Sequence, residues 1–417
     1  MPVSKLAKFS VILSIVPAIY YSVFPGKIVL VTIFCSYPLL IWLFSLFFKG
    51  QIKKIEVGAF IKLFVLYNLL ILIRGFFDAV SYQDWTTLLS QSVIMTLFMP
   101  FTIYFGTTIS SFITILRTYF WYDIFLCGFL FFSTTDSGPY GFTHMLSPIY
   151  IFILFIPYLN RKYGMIILAI ALFSLFSDIS IRSNILGIIV ALSICFSYLL
   201  KKYVWTLNFV KFSRKLLILA PILFLILGLS GTYNIFTFGD MYDRFVIEDD
   251  SGKTQDVFVD SRTSIYLDVF NQLDEDNSFL FGLGASGKTK TSLTDISYAG
   301  FDVVYKEGRR STESGMLNYI QYGGLFGGLL YFMLFVKASF LGIYKSNNWL
   351  SVMIGLWVAF KGLYSFIEDV PIFTVSTVFI FAAIGVCLNK ELRLMNDNEI
   401  KFLLRKRVFT RKNYVVK

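Results

Sequence analysis

The stretch KIVLVTIFCSYPLLIWLFSLFF, Lys27–Phe48, decides the fold class, because no charge interrupts it between Lys27 and Lys49. At a rise of 1.5 Å per residue, a helix of ~20 such residues crosses the ~30 Å hydrocarbon core of a bilayer. Runs of similar character recur along the chain, at 8–25, 27–48, 58–77, 88–108, 112–132, 145–160, 164–181, 183–200, 215–232, 316–336, 349–366 and 370–388. At ~20 residues each they use roughly 240 residues, a share close to the 56% of the chain that is hydrophobic. Only 15% of the 417 residues are charged, against roughly 25% in a soluble domain. An ordinary soluble enzyme and a disordered chain are both excluded, and continuous rather than alternating apolar runs argue against a membrane β-barrel. The expected fold is an all-α polytopic membrane protein of about 12 transmembrane helices with one large extracytoplasmic loop.

The net charge of +11 acquires meaning when divided by side. With the N-terminus inside, 25 of the 37 basic residues and four acidic ones fall on the inner side, giving +21; the outer side carries −9, and Asp123, within a span, supplies the remaining −1. This is the positive-inside pattern, and it places both termini in the cytoplasm. Nucleic acid is not needed to explain the basic balance. The expected organisation is helices over 1–232, a large periplasmic or extracellular loop over 233–315, helices over 316–388 and a basic cytoplasmic tail over 389–417. The tail suits anionic lipid headgroups. Lys5 and Lys8 before the first run read as the flank of an uncleaved span. Cys35, Cys127, Cys195 and Cys387 lie within apolar runs with no CxxC spacing, so neither a disulfide framework nor a metal site is expected.

Loops as long as 233–315 are usually functional. Within it, Ile265, Val269 and Leu273 repeat at helical spacing, which predicts an amphipathic helix over Asp260–Asp274 capped by Asp260 or Ser261. Two string matches there are misleading. Gly282–Thr289 fits GxxxxGK[ST], but a phosphate-binding loop needs a strand before it and a helix after it, and this one is outside, away from ATP. Asp274-Glu275-Asp276 looks like a metal-binding DxD triplet and reads better as a solvated acidic cluster.

The single histidine, His144, is a candidate substrate contact. With no second histidine, acid–base work falls to carboxylates. Arginines at the outer face are the more telling group, since ionisable side chains at membrane depth are costly and guanidinium matches the phosphate fork. Arg182, Arg262 and Arg310 stand out, with Arg309 and Arg244 in the same loop. For Arg74 and Lys361 a local ion pair or snorkelling is an equal alternative, Asp78 lying one turn from Arg74 and Glu368 and Asp369 following Lys361.

Four patches carry a family likeness. Arg309-Arg310-Ser311-Thr312-Glu313-Ser314 is followed by nine residues and then Gly324-Leu-Phe-Gly327. This resembles the O-antigen ligase motif of His, a small polar residue, nine residues and GxxG, with Glu313 standing where the ligase has His. Asp260-Ser-Arg262 leading to Phe281-Gly282-Leu-Gly284 is similar to another stretch of that superfamily's periplasmic loop. Arg182-Ser183 looks like its "SR" element, and Gly138-Pro-Tyr-Gly-Phe142 looks like a loop before one of its helices. The likeness covers most of the chain in architecture and only these patches in residues. It implies a Wzy-type O-antigen or capsular polysaccharide polymerase, because the missing His argues against a ligase. In that family the substrates are undecaprenyl-diphosphate-linked oligosaccharides in the bacterial inner membrane, no cofactor is implied, and a chain-length regulator is a possible partner. The resemblance makes Glu313 the candidate base and Arg182, Arg262 and Arg310 the candidate diphosphate ligands. The rival readings are a flippase for the same lipid-linked repeat and an O-antigen ligase. Gly323, Gly324, Gly327 and Gly328 are expected to allow close helix approach.

Overall fold

The computed structural model describes residues 3–23, 28–48, 57–125, 146–177, 182–229, 246–248, 254–256, 261–290 and 308–408. The fold is helical, as expected. In chain order the main helices are α1 (Val3–Val23), α2 (Ile28–Phe48), α3 (Gly58–Asp78), α4 (Tyr82–Gly106, partly in wide π turns), α5 (Ile109–Thr118), α6 (Ile149–Ile153), α7 (Arg161–Ser177), α8 (Arg182–Leu199), α9 (Val204–Leu229), α10 (Ser261–Glu275), α11 (Gly315–Tyr344), α12 (Trp349–Tyr364) and α13 (Val375–Leu388). Two short helices, α14 (Lys390–Leu394) and α15 (Asp397–Leu403), follow. A small antiparallel ladder pairs Val246–Glu248 with Thr254–Asp256.

Among the described residues four helices are long and apolar enough to cross a membrane: Val29–Phe47, Gly58–Asp78, Tyr82–Gly106 and Gly315–Tyr344. Ser183–Leu199, Trp349–Tyr364 and Val375–Leu388 are shorter apolar helices. On α9, Leu216, Leu219, Leu223 and Ile226 form an exposed apolar stripe, a surface a soluble protein rarely leaves open but lipid would cover. The run 145–160 departs from expectation. It gives only α6 and a single 3-10 turn, Ile156–Tyr158, because Pro148 and Pro157 interrupt the helical hydrogen-bond ladder.

The packed centre consists of α11, α12, α13 and the end of α4. Trp357, Tyr319, Tyr322 and Tyr331 are fully buried there, and Tyr319 stacks on Tyr331 at 4.1 Å between ring centroids. The amphipathic helix predicted near 260–274 is present as α10, with Ile265, Val269 and Leu273 all buried. It lies against the start of α11, where the Tyr266 hydroxyl donates to the Phe366 carbonyl at 2.6 Å.

The glycines of α11 do more than permit close approach. Gly324 has φ 64° and ψ −166°, and breaks the helix. In a continuous helix the Leu325 and Phe326 N–H groups would bond the Gln321 and Tyr322 carbonyls. Here they donate to Phe279 (2.9 Å) and Leu280 (3.2 Å), while Gln321 and Tyr322 accept from Leu283 (2.8 Å) and Gly284 (3.0 Å). Two helical bonds are thus replaced by four bonds to an inserted segment, so none of these four groups is stranded. Irregular backbone at membrane depth is tolerated only where protein buries it in this way.

Candidate functional site

The inserted segment, Ser278–Lys290, was expected to be part of a polar loop. Leu283, Ala285, Ser286 and Thr289 are instead buried. Its other side meets α3 and α4: the Ala285 N–H donates to Ile71 (3.3 Å), the Ser286 hydroxyl to Gly75 (2.9 Å), and the Ser92 hydroxyl to the Ala285 carbonyl (2.7 Å). These bonds also dispose of the phosphate-loop string. The N–H groups of Leu283, Gly284 and Ala285, and that of Gly287, all reach protein carbonyls, so they form no anion cradle. The acidic triplet is unremarkable too. Glu275 pairs with Lys290 at 2.7 Å with both side chains exposed, and Asp276 accepts from Gln272 at 2.9 Å.

The same insertion assembles a charged cluster. Thr289 and Arg309 form a two-bond antiparallel bridge (2.9 and 2.7 Å), which ties the segment to the stretch leading into α11. Gln321 and Tyr322 reinforce the tie, the Tyr322 hydroxyl donating to the Arg310 carbonyl at 2.9 Å and Gln321 Nε2 to Gly287 at 3.1 Å. The Arg310 guanidinium is thereby directed at Asp84, Nε to Oδ1 at 2.8 Å, with Lys288 Nζ 3.1 Å from the same oxygen. Asp84 is also the N3 residue of a capping box with Ser81, so both its backbone and its carboxylate are fixed. Among the described residues, the buried Asp84 carboxylate thus meets two cations.

Asp84 and Lys288 were not among the residues nominated from sequence. The signal for Asp84 was its spacing: Ser81-Tyr-Gln-Asp84 before an apolar run is a capping box. Its ionic partners lie too far along the chain to be read by spacing.

Of the nominated residues, all but His144 and Arg244 belong to described elements. Arg310 is 12% exposed in its side chain and half-buried overall, in the cluster; Arg309 is beside it in the Thr289 bridge. Arg74 donates to the Gly282 carbonyl at 2.7 Å and lies 3.7 Å from Asp78, so the local pair exists alongside a contact to the inserted segment. Glu313 is exposed, yet its neighbours are anchored. Thr312 N–H donates to Asn318 at 2.6 Å, and the Ser314 hydroxyl caps α11 and donates to Ser365 at 2.9 Å. Glu313 therefore precedes the cap rather than occupying the first helical turn. Lys361 is buried, 3.0 Å from Asp369, and ringed by Trp357, Phe360 and Tyr364. This is the paired arrangement, not an open substrate contact.

Arg182 begins α8, which packs against α12, the helix that ends at Tyr364. Tyr364 in turn donates to Glu368, and Gly315 N–H donates to the Glu368 carbonyl at 3.0 Å. Arg262 lies on α10 one turn before Tyr266, whose hydroxyl is within 3.4 Å of the Ser314 hydroxyl. The starts of α10 and α11 and the end of α12 thus meet at one end of the bundle, next to the Asp84 cluster. His144 and Arg244 lie outside the described residues, as do Gly138–Phe142 and Cys127. Cys35 and Cys387 are buried and, with half-buried Cys195, free. Among the described residues no cluster of three or more His, Cys, Asp or Glu is placed to hold a metal ion.

No protein-family model, curated protein or solved structure matches this chain.

Proposed function

We propose that this chain is a multi-pass glycosyltransferase of the bacterial cytoplasmic membrane that polymerises undecaprenyl-diphosphate-linked oligosaccharide repeats into O-antigen or capsular polysaccharide. In this reading about 12 spans carry the chain across the membrane, with both termini cytoplasmic and the 233–315 region outside. The observation that supports it best is the contact between two resemblance patches. Phe281–Gly284 lies against Gly324–Gly327 across the broken helix, and the same contact sets Arg310 and Glu313 at one end of the bundle.

The reaction is a displacement at the anomeric carbon of the donor sugar. The acceptor hydroxyl oxygen forms the new glycosidic bond, the bond to the lipid diphosphate breaks, and the hydroxyl proton passes to the Glu313 carboxylate. Charge builds on the departing diphosphate. Arg182, Arg262 and Arg310 would stabilise it, Arg309 in reserve, because a guanidinium pairs with two phosphate oxygens at once. Arg310 suits this role because the Asp84 carboxylate already fixes its guanidinium. The chemistry needs neither nucleotide nor metal. A chain-length regulator is the natural partner protein.

A deletion strain separates this reading from its rivals by the surface glycan on a gel. Loss of a polymerase leaves single-repeat glycan at the surface, restored to long polymer by complementation. Repeats trapped inside the cell would indicate a flippase, and long polymer left on its lipid carrier would indicate a ligase; either result overturns the proposal.

A further inference from the structure

On α9, Lys211, Arg214 and Lys215 stand at the head of the exposed apolar stripe formed by Leu216, Leu219, Leu223 and Ile226. Phe212, also exposed, begins the stripe, and its helical spacing keeps it on one face. We propose that this end of α9 binds the headgroup of an anionic phospholipid, with the phosphate held between Lys211 and Arg214 and an acyl chain laid along the stripe. The inference rests on the membrane reading, which sets 201–215 on the cytoplasmic side, and is independent of the reaction proposed above.

The site is built across two helices. Arg214 is only 8% exposed and reaches from α9 to α11, where Nε donates to the Ser339 hydroxyl at 3.0 Å and Nη2 to the Val336 carbonyl at 2.8 Å. Its guanidinium carbon lies 5.5 Å from the Phe340 ring centre and 5.6 Å from that of Tyr344, and the two rings stack at 4.9 Å. Two neutral oxygens and two ring faces fix the guanidinium in place without balancing its charge. Lys211 Nζ lies 5.4 Å from the same Tyr344 centre, so a second cation shares the ring and repels the first. A phosphate relieves that repulsion, and the two bonds to α11 leave the Nη1 edge of the fork for its oxygens. Lys215, exposed one turn on from Lys211, adds a third positive charge. A lipid suits the site better than a soluble phosphate, because the apolar stripe continues from the cations along the same helix. The chain also enters α9 at headgroup depth: Tyr203 and Trp205, both exposed and stacked at 6.2 Å, are residue types of the membrane interface. Three cations at one headgroup favour a lipid of net negative charge over a zwitterionic one.

The test is native mass spectrometry of the full-length protein in detergent, with phosphatidylglycerol or phosphatidylcholine added and inorganic phosphate as competitor. The wild type should retain phosphatidylglycerol in preference to phosphatidylcholine. K211Q/K215Q removes two of the three charges and leaves the Arg214 contacts to α11 in place, so the fold is not at stake; it should weaken retention of phosphatidylglycerol roughly tenfold or more. K211R/K215R should retain the lipid as the wild type does. Equal retention by wild type and K211Q/K215Q, or equal retention of the two lipids by the wild type, would overturn the proposal. Displacement of phosphatidylglycerol by millimolar inorganic phosphate would assign the cations to a soluble phosphate group and overturn it as well. None of these outcomes bears on polymer synthesis, which tests the proposed reaction separately.

Discussion

Arg310 and Asp84 are 226 residues apart in sequence and 2.8 Å apart in space. Their pairing closes the end of the bundle, since it joins the start of α4 to the stretch leading into α11. With Lys288 on the same carboxylate oxygen, removing the Asp84 charge would take away the anion that the two cations share. D84N is therefore expected to cost about 3 kcal/mol, the size of a broken buried pair. R310A should cost less, because Lys288 still satisfies Asp84. Thermal unfolding of the detergent-solubilised protein checks the ranking.

The helix break makes a second prediction. A Cβ on Gly324 would overlap the Leu280 and Phe281 backbone, at a φ that L-residues rarely adopt. G324A should expel the inserted segment, at more than the ~1–2 kcal/mol of the left-handed conformation alone. Gly164 on α7 is the control, because a Cβ there would meet its nearest neighbour at an ordinary 3.5 Å. G164A should be neutral or stabilising by up to ~1 kcal/mol. Protease cleavage within 278–290 reads the difference: increased in G324A, unchanged in G164A.

Lys361 and Asp369 supply a double-mutant test. Both are largely buried, 3.0 Å apart. K361M or D369N alone should destabilise by ~3–5 kcal/mol, while the double variant should recover much of that loss. Additive single effects in the melting curves would show that the pair is not energetically coupled.

The C-terminal helices give a pH dependence. Burial alone would raise the Asp397 carboxyl, but hydrogen bonds from Lys201, Tyr158 and the Trp349 N–H outweigh it and hold the group below its usual range. Lys201 is likewise lowered by burial but raised on balance by its 2.7 Å bond to Asp397. A depressed carboxyl stabilises above its ordinary pKa of ~4 and loses that contribution as pH falls through the lower folded value; a raised lysine stabilises below ~10.4 and loses it as pH rises through the higher one. The tether should hold across neutral pH and release in acid. Proteolysis of the tail by an acid-active protease should increase below roughly pH 4 in the wild type and depend less on pH in D397N.

Helical class, the buried face of α10 and the local Arg74–Asp78 pair were all legible, because each follows from spacing over a few residues. The inserted segment was not. Its glycines and polar residues read as solvent-exposed loop, and the carbonyls that bury it become available only when α11 breaks at Gly324, inside what reads as an unbroken apolar run. The candidate site was half legible for the same reason. Arg309, Arg310 and Glu313 lie in one readable motif, whereas Asp84 and Lys288 join it only through tertiary contact.

The most direct measurement is reconstitution of the purified protein with an undecaprenyl-diphosphate-linked repeat, followed by gel separation of the products. The account predicts a ladder spaced by one repeat, abolished by R262A and strongly reduced by E313Q, with both variants retaining the wild-type melting temperature. No ladder from folded wild-type protein supplied with its cognate repeat, or a ladder unchanged in both variants, would contradict it.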